Sequence, residues 1–174
     1  MPIKSSTDHY GSVAVTIHWV SALAVILMLA SGQIMDWYPE QTGVILPYHV
    51  STGFVIGALT LFRIVWWLAL DRRPAARAGM PAWQERIARF VHLGLYACIL
   101  VLFGSGIAMM VLFGAIGPIF LGGPLPNFSQ TPPRSAHGPA SRLILLLACV
   151  HIAAALWHQF IKRDRLLARM GLGR

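Results

Sequence analysis

HGPASRLILLLACVHIAAALWHQFI, running from His137 to Ile161, is the stretch whose reading decides the fold. From Pro139 to Ile161 it is nearly unbroken apolar sequence, carrying Arg142, His151 and His158 inside it. A membrane-spanning helix needs about 20 predominantly apolar residues, so the stretch reads as a span. Ionisable groups at membrane depth are costly and tend to mark function. His137 and His151 are fourteen residues apart, which on a helix turns them by only about 40° and separates them by about 21 Å. One face therefore presents an imidazole in each leaflet. His158 follows seven residues later on nearly the same face, about 10 Å further along.

Working outward, three more segments meet the same length requirement: about 13–37, 47–70 and 86–113, with the fourth span at 139–161. The expected fold is an all-α, four-helix membrane bundle within one 174-residue domain, and no internal repeat is visible. The composition agrees. The chain is 56% hydrophobic, 11% charged and has a mean hydropathy of +0.64, where a soluble domain carries about 25% charged residues. The first apolar segment exceeds a signal-peptide core of about 7–15 residues and reads as a retained span. Pro139 is expected in the first turn of its helix.

A net charge of +8 often suggests nucleic acid, but here the basic residues flank apolar segments, as topology signals do. The second loop, 71–85, carries Arg72, Arg73 and Arg77, and the tail carries Lys162, Arg163, Arg165, Arg169 and Arg174. The positive-inside rule makes that side, with both termini, cytoplasmic. The first loop and the Gly- and Pro-rich third loop, 114–136, then face outward. Trp19, Trp37, Trp66, Trp67 and Trp83 sit near span ends, as interfacial anchors do. Cys98 and Cys149 lie in apolar runs, outside any CxxC motif, and read as small core residues.

Six of the seven histidines lie in or at the ends of spans. One histidine at a helix end is ordinarily interfacial; six in four spans ask for a ligand. Two stacked b-type haems suit the spacing, because each needs axial imidazoles from facing helices. His49 is at the depth of His137, and His18 is in the half of His151. Gly53, one turn after His49, leaves room for a macrocycle against the backbone. Arg63, in the inner half, needs an anionic partner that a haem propionate would supply, unless it snorkels to the headgroups. Zinc would want three or four clustered ligands, and these histidines are spread. Without a CxxCH motif the haem is not covalently attached. His92 reads as an interfacial or propionate-contacting residue.

These residues resemble the bacterial di-haem cytochrome b561 family along nearly the whole chain. The likeness rests on Thr16-Ile17-His18-Trp19, His49-Val50-Ser51-Thr52-Gly53 with Arg63, and Phe90-Val91-His92-Leu93 with Gly106-Ile107-Ala108-Met109-Met110. It continues in Ser135-Ala136-His137 and in His151 through His158. The resemblance implies iron ligation by His18 with His151 and by His49 with His137. It also implies a quinone site near His158, in a multi-pass protein of the bacterial inner membrane. One branch of the family oxidises superoxide at the outer haem and reduces ubiquinone at the inner one. Where the best-known branch has a polar pair after the outer histidine, this chain has Gly138-Pro139.

The expected function is electron transfer from a periplasmic-side donor, superoxide, through two haems to ubiquinone. His158 is a candidate proton donor or hydrogen-bond partner for quinone, since imidazole titrates near neutral pH. Arg134, with Arg142, supplies positive charge near the outer site to attract an anion, opposed by Asp36 and Glu40. Arg142 has a second candidate role as partner of an outer propionate. The alternative donor is a periplasmic redox protein, which would co-purify with the chain. A haem-free transporter or structural protein is a third class, and it predicts a colourless preparation.

Overall fold

The structure is a computed structural model that describes residues 2–75 and 79–172. Arg77 and Arg174, two of the charges used to orient the chain, lie outside the described residues. Four long helices form the bundle: α1 (Ser12–Trp37), α2 (Thr42–Val65), α3 (Ala82–Leu112) and α5 (Pro132–Phe160), with a short α4 (Ile116–Leu121) between the last two. A π-helical turn, Trp66–Leu70, extends α2. Each long helix is apolar and long enough to cross a membrane. α1 packs chiefly on α2, and α3 on α5.

The apolar surface is turned outward. Leu68 is 82% exposed and Phe90 75%, because a lipid tail solvates leucine as well as a core does. Cys149, expected in the core, is exposed on α5 for the same reason, whereas Cys98 is buried. Helix contact in lipid relies on close packing of small residues. Gly57 of α2 lies against the Phe103 ring of α3, and Gly94 of α3 against Leu147 of α5.

Two prolines do not begin helices as expected. α2 starts at Thr42, after a 3-10 turn over Pro39–Gln41, and contains Pro47. α5 starts at Pro132, with prolines in its first turn, and contains Pro139. Pro132 and Pro133 take the first-turn place that suits a residue lacking an N–H. His137 is consequently held on regular helix rather than at its edge. Within the third loop, α4 packs on α2 and its Ile119 is buried.

Both ends of the chain meet the second loop on one face. Arg169 donates to the carbonyls of Asp8 (2.7 Å) and Ala75 (2.8 Å), and the Tyr10 N–H donates to the Arg169 carbonyl (3.2 Å). Asp71 accepts from the Ser5 hydroxyl (2.8 Å), the Ser5 N–H (3.0 Å) and the Trp66 indole (3.1 Å). Trp66, expected as an interfacial anchor, is buried in this cap. Burial raises the Asp71 carboxyl, but the hydrogen bonds from Ser5, Arg72 and Trp66 outweigh it and hold the group below its ordinary value.

Candidate functional site

Two pairs of imidazoles face each other inside the bundle. His49 of α2 and His137 of α5 have ring centres 6.4 Å apart. His18 of α1 and His151 of α5 have ring centres 6.2 Å apart. The fourteen-residue spacing along α5 puts one pair in each half, the first toward α4 and the second toward the terminal cap.

The His49–His137 pair opens into a cavity of about 790 Å³. Gly53, Phe54, Phe103, Gly106, Ile119 and Phe128 help line it, with Arg134, Arg142 and Asp36. Phe54 and Phe103 meet edge to face at 5.5 Å. Each imidazole is held from behind. His49 Nδ1 lies 2.7 Å from Ser31 Oγ, and His137 Nδ1 lies 2.9 Å from Ser105 Oγ. A Cβ placed on Gly32 would touch His49 Cε1 at 3.7 Å, and one on Gly106 would touch His137 Cε1 at 3.9 Å.

The second pair has a third histidine beside it. His92 of α3 is 5.1 Å from His151 between ring centres. Arg63 of α2 sits 5.7 Å from the centre of the Tyr96 ring, one turn beyond His92 on α3. Its Nε is buried with no hydrogen-bond partner among the described residues. That favours the anion-binding reading of Arg63 over snorkelling, since an orphaned guanidinium N–H inside a bundle is costly.

The donor set fits haem. A metal–imidazole bond of about 2 Å places the ring centres of two ligands on opposite faces of one metal about 6 Å apart. Both pairs have that separation. Among the described residues no group of three or more His, Cys, Asp or Glu is placed to hold a metal ion. Two imidazoles in opposition suit an iron whose other ligands come from a porphyrin. The cavity beside His49 and His137 is within the usual range for a bound cofactor, about 300–1,000 Å³. A side chain at Gly53 would enter this space and press on Met28 at 3.2 Å.

The other expected residues fall in two places. Arg134 pairs with Asp36 at 3.3 Å, both lining this cavity, so its charge is partly offset. Arg142 lines the same cavity and forms no ion pair among the described residues. His158 is buried at the opposite end of α5, with its Nδ1 on the Asp164 carboxylate. The chain reverses there through Arg163 and Arg165, both in the left-handed backbone region (φ 53° and 54°). The turn is closed by the Asp164 N–H on the His158 carbonyl, 3.2 Å. The Asp164 Oδ1 and Gln159 Oε1 atoms are buried without partners among the described residues. Sequence reasoning missed Ser31, Ser105 and Asp164. The first two carried a signal, since Ser31-Gly32-Gln33-Ile34-Met35 and Ser105-Gly106-Ile107-Ala108-Met109 share one pattern. To that extent a short local repeat exists where none was expected.

The family profile described as prokaryotic cytochrome b561 matches residues 9–173. The chain is 27% identical to the protein named cytochrome b561 homolog 1 of Escherichia coli, over 94% of this chain and 97% of that one. It is 30% identical to a protein of Cereibacter sphaeroides named cytochrome b562, over 92% and 94% of the two chains. It is 26% identical to cytochrome b561 homolog 2 of Escherichia coli, over 98% and 95%.

Proposed function

Because the chain belongs to the prokaryotic cytochrome b561 family, we propose that it is a di-haem b-type cytochrome of the bacterial inner membrane that takes electrons from superoxide on the outer side and delivers them to ubiquinone near the cytoplasmic face. The observation that carries this reading is the presence of two opposed imidazole pairs with matching ring separations at two depths of one bundle. His49 and His137 hold the outer haem; His18 and His151 hold the inner one. Arg63 supplies a cation for an inner propionate. When bound, each haem supplies a one-electron carrier.

The balance is two superoxide ions oxidised to dioxygen against one ubiquinone, which gains two electrons and two protons to become quinol. Arg142 leaves a positive charge in the outer cavity, and Arg134 lies beside it in its pair with Asp36. A positive field at a cleft raises the encounter rate of an anion. At the other end, His158 is the proton-bearing group for quinone. Its Nδ1–H donates to Asp164, so Nε2 meets substrate, and the proton passed to quinone is one taken up at Nε2 from the cytoplasmic side, the resulting imidazolium being balanced by the Asp164 carboxylate. The left-handed reversal at Arg163 and Arg165 keeps Asp164 under the ring.

The test is to purify the protein in detergent, count haem from reduced-minus-oxidised spectra, and add a superoxide source with ubiquinone. Two b-type haems per chain, reduced by superoxide and reoxidised by quinone, are expected. Two haems indifferent to superoxide would move the donor to a periplasmic redox protein.

A further inference from the structure

The two Ser-Gly pairs do the same job on two different helix pairs. Ser31-Gly32 on α1 meets His49 on α2, and Ser105-Gly106 on α3 meets His137 on α5. In each, the serine oxygen reaches Nδ1 while the adjacent glycine lets the Cε1 edge of the ring lie near the backbone. A serine hydroxyl has one hydrogen and two acceptor sites. Ser31 donates its hydrogen to the Met28 carbonyl at 3.0 Å, and Ser105 donates to the Val101 carbonyl at 2.6 Å. Each oxygen is then an acceptor toward the imidazole, so both rings carry their proton on Nδ1. That leaves both Nε2 lone pairs free to face the cavity. Among the described residues, His18 and His151 make no such hydrogen bond.

We propose that Ser31-Gly32 and Ser105-Gly106 form a twin clamp that fixes the tautomer of both outer histidines and lowers the reduction potential of the outer haem. This rests on the di-haem reading above. A ligand histidine that donates its remote N–H to an acceptor becomes more basic, which favours the oxidised metal. Hydrogen bonding behind the ligand is one of the protein's means of setting a haem potential. Because the clamp acts on the outer pair alone, it adds to the driving force for moving an electron inward. The serines are positioning residues: they touch the ligands, not the iron or the substrate.

The experiment measures both haem potentials by spectroelectrochemistry in haem-loaded Ser31→Ala, Ser105→Ala, the double variant and Ser31→Thr, which keeps the hydroxyl. The outer haem is identified as the one missing from His49→Ala. Its potential is expected to rise in each alanine variant, most in the double variant, and to stay near wild type in Ser31→Thr. Outer haem should also pass to a scavenging protein about 10–100-fold more readily in the double variant, the usual cost of losing such support. Unchanged potentials with both haems bound would overturn the clamp while leaving the di-haem reading intact, as would a shift confined to the inner haem. A wild-type protein without haem, or a His49→Ala protein that keeps two, would overturn the reading itself and the clamp with it.

Discussion

Replacing Gly57 with alanine should damage the outer site from a position that touches no ligand. A Cβ at Gly57 would fall 2.2 Å from Cδ2 and 2.5 Å from Cγ of Phe103, where ordinary contact begins at 3.4 Å. The ring must therefore move by more than about 1 Å, or α2 must part from α3. Phe103 meets Phe54 edge to face and both line the cavity beside His49 and His137, so a displaced ring disturbs that contact and moves into the space the haem would take. Overpacking of this kind costs about 1–3 kcal/mol. The expected result is a lower thermal midpoint in detergent and loss of outer haem, with inner haem retained. Gly104→Ala is the control, since a Cβ there meets nothing within 4 Å. It should match wild type or gain slightly, because alanine is favoured over glycine in a helix interior by about 1 kcal/mol. If Gly57→Ala kept the wild-type midpoint and haem content, close packing of α2 on α3 at Gly57 and Phe103 would be refuted.

Other outcomes follow from the ends of the bundle. His158→Ala should slow quinone reduction by about 10²–10⁴-fold, the usual contribution of a positioned proton donor, with haem content unchanged. Asp164→Asn should slow it by about tenfold, because the amide neither fixes the tautomer nor balances a protonated ring. Asp36→Asn frees Arg134 and should speed superoxide oxidation a few-fold at low salt, an effect that vanishes as ionic strength rises. Asp71 is held below its ordinary pKa, so its contribution to the terminal cap is present above the ordinary carboxylate value and is lost as pH falls through the depressed one. Asp71→Asn should remove that acid-side dependence, read as thermal midpoint against pH.

The helices and their paired histidines were legible because apolar length and helical repeat are local properties. Fourteen residues between His137 and His151 dictate one face and two depths in any straight helix. Helix beginnings were less legible. Pro47 and Pro139 looked like starts, yet both sit inside helices, and the prolines that begin α5 lie seven residues earlier. What supports the ligands depends on contacts between helices. Ser31 and His49 are eighteen residues apart, and Ser105 and His137 thirty-two, so only packing brings them together. Asp164 was hidden in a basic tail whose reversal depends on two left-handed arginines. That Asp36 opposes Arg134 was legible from their shared side of the membrane; that the two form a direct ion pair depends on how α1 packs beside α5.

The most direct test is haem stoichiometry in His18→Ala and His49→Ala, compared with wild type. Two b-type haems per chain are expected in wild type and one in each variant, with the two remaining haems distinguishable by spectrum and potential. A colourless wild-type protein, or variants that both keep two haems or lose the same one, would contradict it.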